Sequence, residues 1–425
     1  MNILVIGGGG REHAVVMKLA ESKKVEKIYC TPGNGGIAEY AECFDVKATD
    51  FNGVLALAQK LNPDYIFIAP DDPLVMGMTD FLEENGFKTF GPRKNAAILE
   101  GSKSFSKSLM ERYDIPTAAY REFDDAKKAI EYIKNGKYPV VIKADGLALG
   151  KGVIIAENEK TALKAIKNIM VDKKFGDSGN KIVIEEFLIG PEVSLLCFTD
   201  GKSVKPMLTS MDHKRVWDGD RGLNTGGMGA IAPNPYYTPV IADETLRKIV
   251  LPTINAMANE GTPFKGCLYF GLMLTPDGVK VIEYNCRFGD PETQAVLPML
   301  KTDLADIIEA VYNETLAELD IEWEDGACCC VVMASGGYPE KYVTGVEITG
   351  LDEKGQLENA FIYHAGTKFT DKFCTSGGRV LGVTAKSDNL AHAIRNAYAS
   401  VVKIDFKNKY YRTDIGQKAL IAQSS

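Results

Sequence analysis

Glu283, Asn285 and Arg287 stand two residues apart in VIEYNCRFGDPET, the segment 281–293. In an extended strand that spacing puts a carboxylate, an amide oxygen and a guanidinium on one face, because successive side chains point to opposite sides. Ile282, Tyr284 and Cys286 then turn the other way, into a core. A carboxylate and an amide oxygen suit Mg²⁺, which takes hard oxygen ligands and shares its shell with water and substrate phosphates. Arg287 can fork onto a phosphate or carboxylate oxygen. An exposed polar edge strand would show the same alternation. The preceding TPDG, Thr275 to Gly278, has the residue order of a tight turn and predicts a hairpin with the strand LYFGLML.

A second group is IKADGLALGKGVIIA, residues 142–156, where Gly146, Gly150 and Gly152 lie between Lys143 and Lys151. Glycines free backbone N–H groups to approach a ligand, and bracketing lysines supply charge, which is the pattern of a phosphate cradle. No Ser or Thr follows Lys151, and a β-branched strand stands where a P-loop has a helix, so the segment reads as a hairpin flap over a triphosphate. A flexible surface hairpin is the competing reading. Lys103, in EGSK ahead of a helix, offers another cation to the phosphates. In IVIEEFLIGPEVSLL, residues 182–196, exposed backbone can read the edge of adenine and Glu192 can accept from ribose hydroxyls; charged residues at a strand end are also commonly just solvated. VIGGGGREHA places Gly8, Gly9 and Gly10 between a strand and a helix, an anion site at a helix N-terminus. The dinucleotide fingerprint is incomplete, since Glu12 holds the third glycine position and the second strand ends in Cys30, Thr31 and Pro32 without a ribose-binding acid. That leaves a phosphate site without NAD, or a turn needed only for packing.

These groups need a scaffold, and 425 residues are enough for two to four domains. The first hundred residues alternate apolar strands with amphipathic helices and predict a doubly wound parallel-sheet domain over 1–103. YPVVIKA and GVIIAEN flank a Gly-rich turn with no helix between them, which predicts an antiparallel pair within a small flap subdomain of about 118–190, itself part of a central domain spanning 104–324. The loop-rich stretch 210–235 precedes a helix expected over 243–260 and the Cys267–Arg287 hairpin; long loops in compact domains are usually functional. Strand-and-turn texture then resumes in a separate mixed domain over 325–425. The fold class is α/β and α+β multidomain.

A net charge of -8 argues against a general nucleic-acid binder, and no stretch reaches the ~18 apolar residues of a membrane helix. Nine cysteines without CxxC pairs indicate reduced thiols in a cytosol, with Cys328, Cys329 and Cys330 as small buried hydrophobes. The chain opens directly on MNILVIGG, so no export or organelle signal is expected. His13, His213, His364 and His392 are too dispersed in sequence to form an evident cluster.

In order along the chain, GGGGREHA, FGPRKNAAILEGSK, IKADGLALGKGV, IVIEEFL, SMDHKR, NTGGMGA, IEYNCRFGDPET, ASGGYP, HAGT and GGRVL resemble the phosphoribosylamine-glycine ligase family of ATP-grasp enzymes. The resemblance covers residues 1–421. It implies ATP-dependent ligation of glycine to 5-phosphoribosylamine through a glycyl phosphate, giving glycinamide ribonucleotide, ADP and phosphate, in a cytoplasmic monomer or weak homodimer that engages neither nucleic acid nor membrane. It further implies that Glu283 and Asn285 hold Mg²⁺ or Mn²⁺, and that Lys103 and Lys143 contact the nucleotide phosphates beneath the 146–152 flap. Glu185 and Leu188 would flank adenine, with Glu192 at the ribose. Arg287 would steady the phosphoryl group or the glycine carboxylate. Asp212, Lys214, Asn224 and Thr225 would face glycine and the amine, Gly8 to Gly10 the phosphoribosyl phosphate, and Glu292 would be a base.

This sequence departs from the family pattern at three places. Leu272 stands where many ATP-grasp enzymes carry a second metal-binding Glu, which implies fewer protein ligands for a second metal. Leu223 replaces a usual Pro before NTGG, and PDDPL, residues 70–74, replaces a common PExPL. Neither of these last two changes alters an implied ligand. Three other readings stay open: another carboxylate or amine substrate for the same ligase chemistry, an NAD-dependent oxidoreductase built on the N-terminal glycines, and a non-catalytic nucleotide sensor.

Overall fold

The computed structural model describes residues 1–148 and 152–424. Near the N-terminus, strands Asn2–Gly7, Lys27–Pro32, Glu42–Cys43, Tyr65–Ile68 and Thr89–Phe90 form one five-stranded parallel sheet with Asn2–Gly7 at its centre. Ile3, Leu4, Val5 and Ile6 are fully buried because helices cover both faces of such a sheet. The central strands point their carboxyl ends at one rim, and that rim carries Arg11 and Asp71 into the cleft described below.

The flap subdomain is a four-stranded antiparallel sheet in the order Tyr120–Phe123, Ile182–Glu186, Val140–Ala144, Val153–Ala156. Helices Ala126–Lys134 and Glu159–Ile166 share a core with it through Ile133, Ile142, Ala156, Ile166 and Ile184. The hairpin expected from the Gly-rich turn is therefore present, while Gly150 and Lys151 lie outside the described residues.

Beside it, Val204–Pro206, Glu192–Asp200, Lys265–Thr275 and Gly278–Asn285 form a second antiparallel sheet, and the TPDG hairpin closes with Thr275 opposite Gly278. Strict alternation along 278–287 fails at one point. Gly271 pairs with Glu283 and Leu272 with Val281, leaving Ile282 as the extra residue of a bulge. Val279 and Val281 therefore face the core, the phase shifts, and Tyr284 and Cys286 face the core thereafter. Ile282, expected in the core, lines the cleft instead. Leu272 is fully buried in the core, and the partner strand meets the cleft through Tyr269 and Met273, neither a carboxylate.

Two differences from expectation concern the rest of the chain. The helix expected over 243–260 begins earlier, as a continuous helical stretch over Pro239–Thr245, Leu246–Val250 and Leu251–Asn259, because Thr238 accepts from the Ile241 N–H as an N-cap and Pro239 suits the first turn. The C-terminal sheet is not built from 325–425 alone. Its order is Met211–Asp212, Gly229–Ala232, Ala327–Ser335, Arg379–Ser387, Phe361–His364, so the loop-rich stretch donates two strands to it. Strand Ala327–Ser335 buries the three consecutive cysteines, Cys330 against the N-terminal core and Cys329 against the C-terminal one, and burial raises all three thiols, Cys330 to about 12.

Candidate active site

A cleft of about 1050 Å³ runs between the flap sheet, the central sheet, the N-terminal rim and the C-terminal sheet. Nearly all the residues singled out from the sequence line it: Lys103, Lys143, Gly152, Glu185, Leu188, Glu192, Asp212, Lys214, Asn224, Thr225, Glu283, Asn285, Arg287 and Glu292. Five stretches distant in sequence, around residues 103, 143–152, 185–192, 212–225 and 283–292, converge here.

Glu283 sits among cations. Lys214 Nζ lies 3.5 Å from its carboxylate and 3.5 Å from that of Glu192. Burial alone would raise the Glu283 carboxyl, but Lys214 first, then Lys143, Lys103 and Arg287, hold it below the usual range, so it is an anion. Burial would likewise lower Lys214, and Glu192 and Glu283 outweigh it and hold the ammonium charged. Asn285 donates its side-chain N–H to the Tyr284 carbonyl at 2.7 Å, which fixes the amide with its oxygen as the free acceptor. A charged carboxylate and a free amide oxygen are hard donors suited to a divalent cation. Among the described residues no three His, Cys, Asp or Glu side chains come together as a cage, so such an ion would complete its shell from water and phosphate oxygens, the habit of Mg²⁺.

Arg287 is less free than its sequence position suggests. Its Nη2 donates to Glu100 Oε1 at 2.9 Å, its Nη1 to the Phe288 carbonyl at 3.2 Å, and Asp71 lies 3.9 Å away. Its Nε is buried without a partner. Glu100 also accepts from the Cys286 N–H at 2.7 Å, so one buried carboxylate anchors both strand and guanidinium.

The flap connects to the phosphate side through Lys103, which donates to the Gly146 carbonyl at 3.0 Å and whose ammonium burial pushes down. Asp145 accepts from the Ser104 N–H at 2.6 Å, tying the flap to helix Lys103–Arg112. Gly146 and Gly152 serve close packing, since a Cβ would come within 2.6 Å of Ser178 Oγ and of Ala148 Cβ respectively. Lys143 is aimed from two sides, donating to the Ile282 carbonyl at 2.9 Å and meeting Glu185 at 2.8 Å. Glu185, expected beside adenine, turns its carboxylate to Lys143 and to Lys107, 3.3 Å away. Lys107 is buried, also donates to Thr117 Oγ1 at 2.7 Å, and has its pKa lowered to about 8, first by burial. Leu188, Ile155, Val141, Met273 and Ile282 line the cleft between the two sheets, an apolar slot of the kind a flat base fills.

On the far side Asp212 is raised well above the usual carboxylate range, by burial and then by Glu292, and its Oδ1 is buried without a partner. Thr225 closes on the Lys214 carbonyl with both its N–H, 2.8 Å, and its hydroxyl, 2.9 Å. Glu292 is buried and accepts from Ser194 Oγ at 3.2 Å.

Gly8, Gly9 and Gly10 do not line the cleft. Glu12 fills the turn from within, accepting the Gly9 N–H at 2.7 Å, and a Cβ at Gly7 would lie 2.4 Å from Glu12 Cγ. The cleft is also lined by side chains the sequence reading passed over: Lys107 on the flap side, and Arg11, Asp71, Glu100, Asp290, Tyr338 and Arg379. Arg379 pairs with Asp290 at 3.2 Å, and Arg11 donates to the Phe288 carbonyl at 3.1 Å. Arg11 and Asp71 follow the carboxyl ends of two central parallel strands, the position where open α/β sheets bind ligands, and that rule was the available signal.

Comparison with known proteins identifies the family and the fold. Residues 1–100 match the phosphoribosylglycinamide synthetase N domain, 101–293 its ATP-grasp (A) domain and 328–418 its C domain. The phosphoribosylamine–glycine ligase of Caldanaerobacter subterraneus subsp. tengcongensis is 49% identical over 416 residues, covering 98% of this chain and 99% of that one. That of Clostridium acetobutylicum is 48% identical over 418 residues, covering 98% and 100%. The crystal structure of the ligase from Thermotoga maritima superposes with a TM-score of 0.86 at 32% identity, covering 98% of this chain and 100% of that one. The biotin carboxylase domain of a Hydrogenobacter thermophilus 2-oxoglutarate carboxylase, solved with MgADP, shares the fold at TM-score 0.74 and 15% identity over 99% of this chain and 93% of that one. This chain belongs to the phosphoribosylamine–glycine ligase family of ATP-grasp enzymes.

Proposed function

We propose that the cleft ligates glycine to 5-phosphoribosylamine at the expense of ATP, through a glycyl phosphate, in purine biosynthesis. The observation that carries this reading is the convergence of an anionic Glu283, a free Asn285 oxygen and three lysines, Lys103, Lys143 and Lys214, on one cleft beside an apolar slot. An unactivated carboxylate has no leaving group, so a phosphoryl group must reach it before an amine can attack. Charge on the transferring phosphoryl group is best met by fixed cations in a site closed to water.

In this reading adenine enters the slot of Val141, Ile155, Leu188, Met273 and Ile282, with Glu192 at the ribose. Lys103 and Lys143 hold the phosphates beneath the flap, which includes Gly146, Gly150, Lys151 and Gly152. Glu185, braced by Lys107, keeps Lys143 aimed at the Ile282 carbonyl beside Glu283. Glu283 and Asn285 would hold Mg²⁺, which when bound screens phosphate charge. Arg287, anchored by Glu100, faces the glycine carboxylate, and Lys214, Asn224 and Thr225 form the wall opposite. Asp212, whose carboxyl burial and then the neighbouring Glu292 push well above the usual range, faces the amine side, and Glu292 is the group that takes the proton released when the amine attacks. The phosphoribosyl phosphate fits the Arg11 and Arg379 end better than the glycine turn that Glu12 occupies. We further place domain boundaries near residues 103 and 324, and the protein in the cytoplasm as a monomer or weak homodimer; nine free cysteines suit a reducing compartment.

The test is ADP release by purified protein with ATP and Mg²⁺. ADP should form only when glycine and in-situ phosphoribosylamine are both present, with glycinamide ribonucleotide as product; ADP production indifferent to the amine refutes the assignment. Replacing glycine with other small carboxylates distinguishes this ligase from one with another acid.

A further inference from the structure

Lys214 and Asn224 reach the cleft from a hairpin, Arg215–Trp217 paired with Arg221–Asn224, that belongs to none of the large sheets. An isolated two-stranded hairpin is marginal in water. This one has an irregular register, its Trp217 and Leu223 are 56% and 50% exposed, and within it Val216 is buried and Arg215 Nη1 donates to the Gly222 carbonyl at 2.7 Å. Further support comes from far along the chain. Arg412, 1% exposed, spans the two segments with one guanidinium. Nε and Nη2 donate to the two oxygens of Asp414 at 2.7 Å each, while Nη1 donates to the Arg215 carbonyl at 3.1 Å and to Asp220 at 2.8 Å. Around this fork Gly219 N–H donates to Asp414 at 2.8 Å, Thr413 N–H to Asp218 at 2.8 Å, Tyr410 Oη to the Val216 carbonyl at 2.8 Å and Gly416 N–H to His213 Nε2 at 3.1 Å. Asp220 and Asp414 are both held below the usual carboxylate range against the burial that would raise them, by hydrogen bonds that include Arg412.

We propose that Arg412 is a positioning residue that locks the 213–224 hairpin onto the C-terminal segment and thereby fixes Lys214 and Asn224 at the reacting end of the cleft. The carbonyl it holds belongs to Arg215, the residue after Lys214 and the strand partner of Asn224, so the restraint acts on the residue that adjoins one cleft residue in the chain and faces the other across the hairpin. A planar, two-sided donor is required. A lysine cannot satisfy Asp414 bidentately and still reach the hairpin. The inference rests on the reading that Lys214 and Asn224 act on substrate.

The experiment uses the full chain carrying Trp323→Phe, which leaves Trp217 as the sole indole, compared with and without Arg412→Lys. Trp217 anisotropy and hydrogen exchange over 213–224 are measured without substrate, and kcat and KM with it. Arg412→Lys is expected to fold, to lower Trp217 anisotropy, to speed exchange in 213–224 selectively, and to cut kcat ~10- to 100-fold with KM for ATP changed less than ~3-fold, as misplacement of one wall predicts. Unchanged anisotropy and exchange in a folded Arg412→Lys overturn the clamp, as does faster exchange spread evenly over the C-terminal sheet. Selective loosening with unchanged kcat overturns the catalytic consequence alone. Should Arg412→Lys not fold, Asp414→Asn must show the same selective loosening, and failure of both to fold refutes a local positioning role. Because exchange and anisotropy need no turnover, they test the clamp even if the ligase assay fails.

Discussion

Replacing Glu283 with alanine removes an anion that Lys214, Lys143, Lys103 and Arg287 surround. At 3.5 Å the Coulomb attraction to Lys214 alone is about 5 kcal/mol at an effective dielectric of ~20. The side chain is 28% exposed and Lys214 keeps Glu192 at 3.5 Å, so solvent and the second carboxylate absorb most of that loss, and the cost to folding is about 1–2 kcal/mol. Catalysis depends on the same charge for another purpose. Losing the only anionic member of the Glu283–Asn285 pair removes the group that would hold a divalent ion against the phosphates, and kcat should fall ~1000-fold or more, which is ~4 kcal/mol of transition-state stabilisation. Meanwhile the cleft becomes more cationic, so ATP binding without any divalent ion should be unchanged or tighter. Calorimetry with ATP in EDTA, Mn²⁺ titration followed by electron paramagnetic resonance, and coupled ADP release separate the three effects. A variant that keeps kcat within ~10-fold, or binds metal-free ATP much more weakly, refutes the reasoning.

Glu185→Gln should leave Lys107 and Lys143 buried against each other without a counter-ion; urea unfolding should show a loss of about 3–5 kcal/mol, and an unchanged midpoint would mean the triad is not coupled. His213 and His364 are buried and their pKa values are lowered to about 4, chiefly by burial, so each favours the folded state fully above the unfolded value near 6.5 and loses that contribution as pH falls from there toward 4. Each is worth about 3 kcal/mol at the acid limit, and urea midpoints at pH 7, 5.5 and 4.5 should fall progressively; a flat profile contradicts the buried neutral state. Seven cysteines are buried and only Cys43 and Cys374 are partly accessible, so Ellman's reagent should modify no more than two thiols rapidly in the native protein and the rest on unfolding.

The order of motifs along the chain was enough for the family and for most of the cleft, because glycine spacing, paired lysines and a Glu-x-Asn strand each carry their chemistry in residue type. The parallel N-terminal sheet and the antiparallel flap were legible from the presence or absence of a helix between apolar strands. What periodicity could not show was the bulge at Ile282. An extra residue in one strand shifts the phase, and pairing with a strand ten residues away decides where it falls. Glu12 looked like a defect in a glycine fingerprint, yet it closes the turn itself and removes Gly8 to Gly10 from the cleft. Glu185 and Lys107 could not be paired from sequence, since they meet only when helix Lys103–Arg112 packs under strand Ile182–Glu186. Arg412 is the extreme case. Nothing local marks it, and its place beneath the hairpin arises because strands Met211–Asp212 and Gly229–Ala232 join the C-terminal sheet, bringing residues about 190 positions apart into hydrogen-bond range. Residue chemistry is a local property that sequence states directly, whereas the partners that aim each charge are long-range contacts that only packing of the sheets against one another decides.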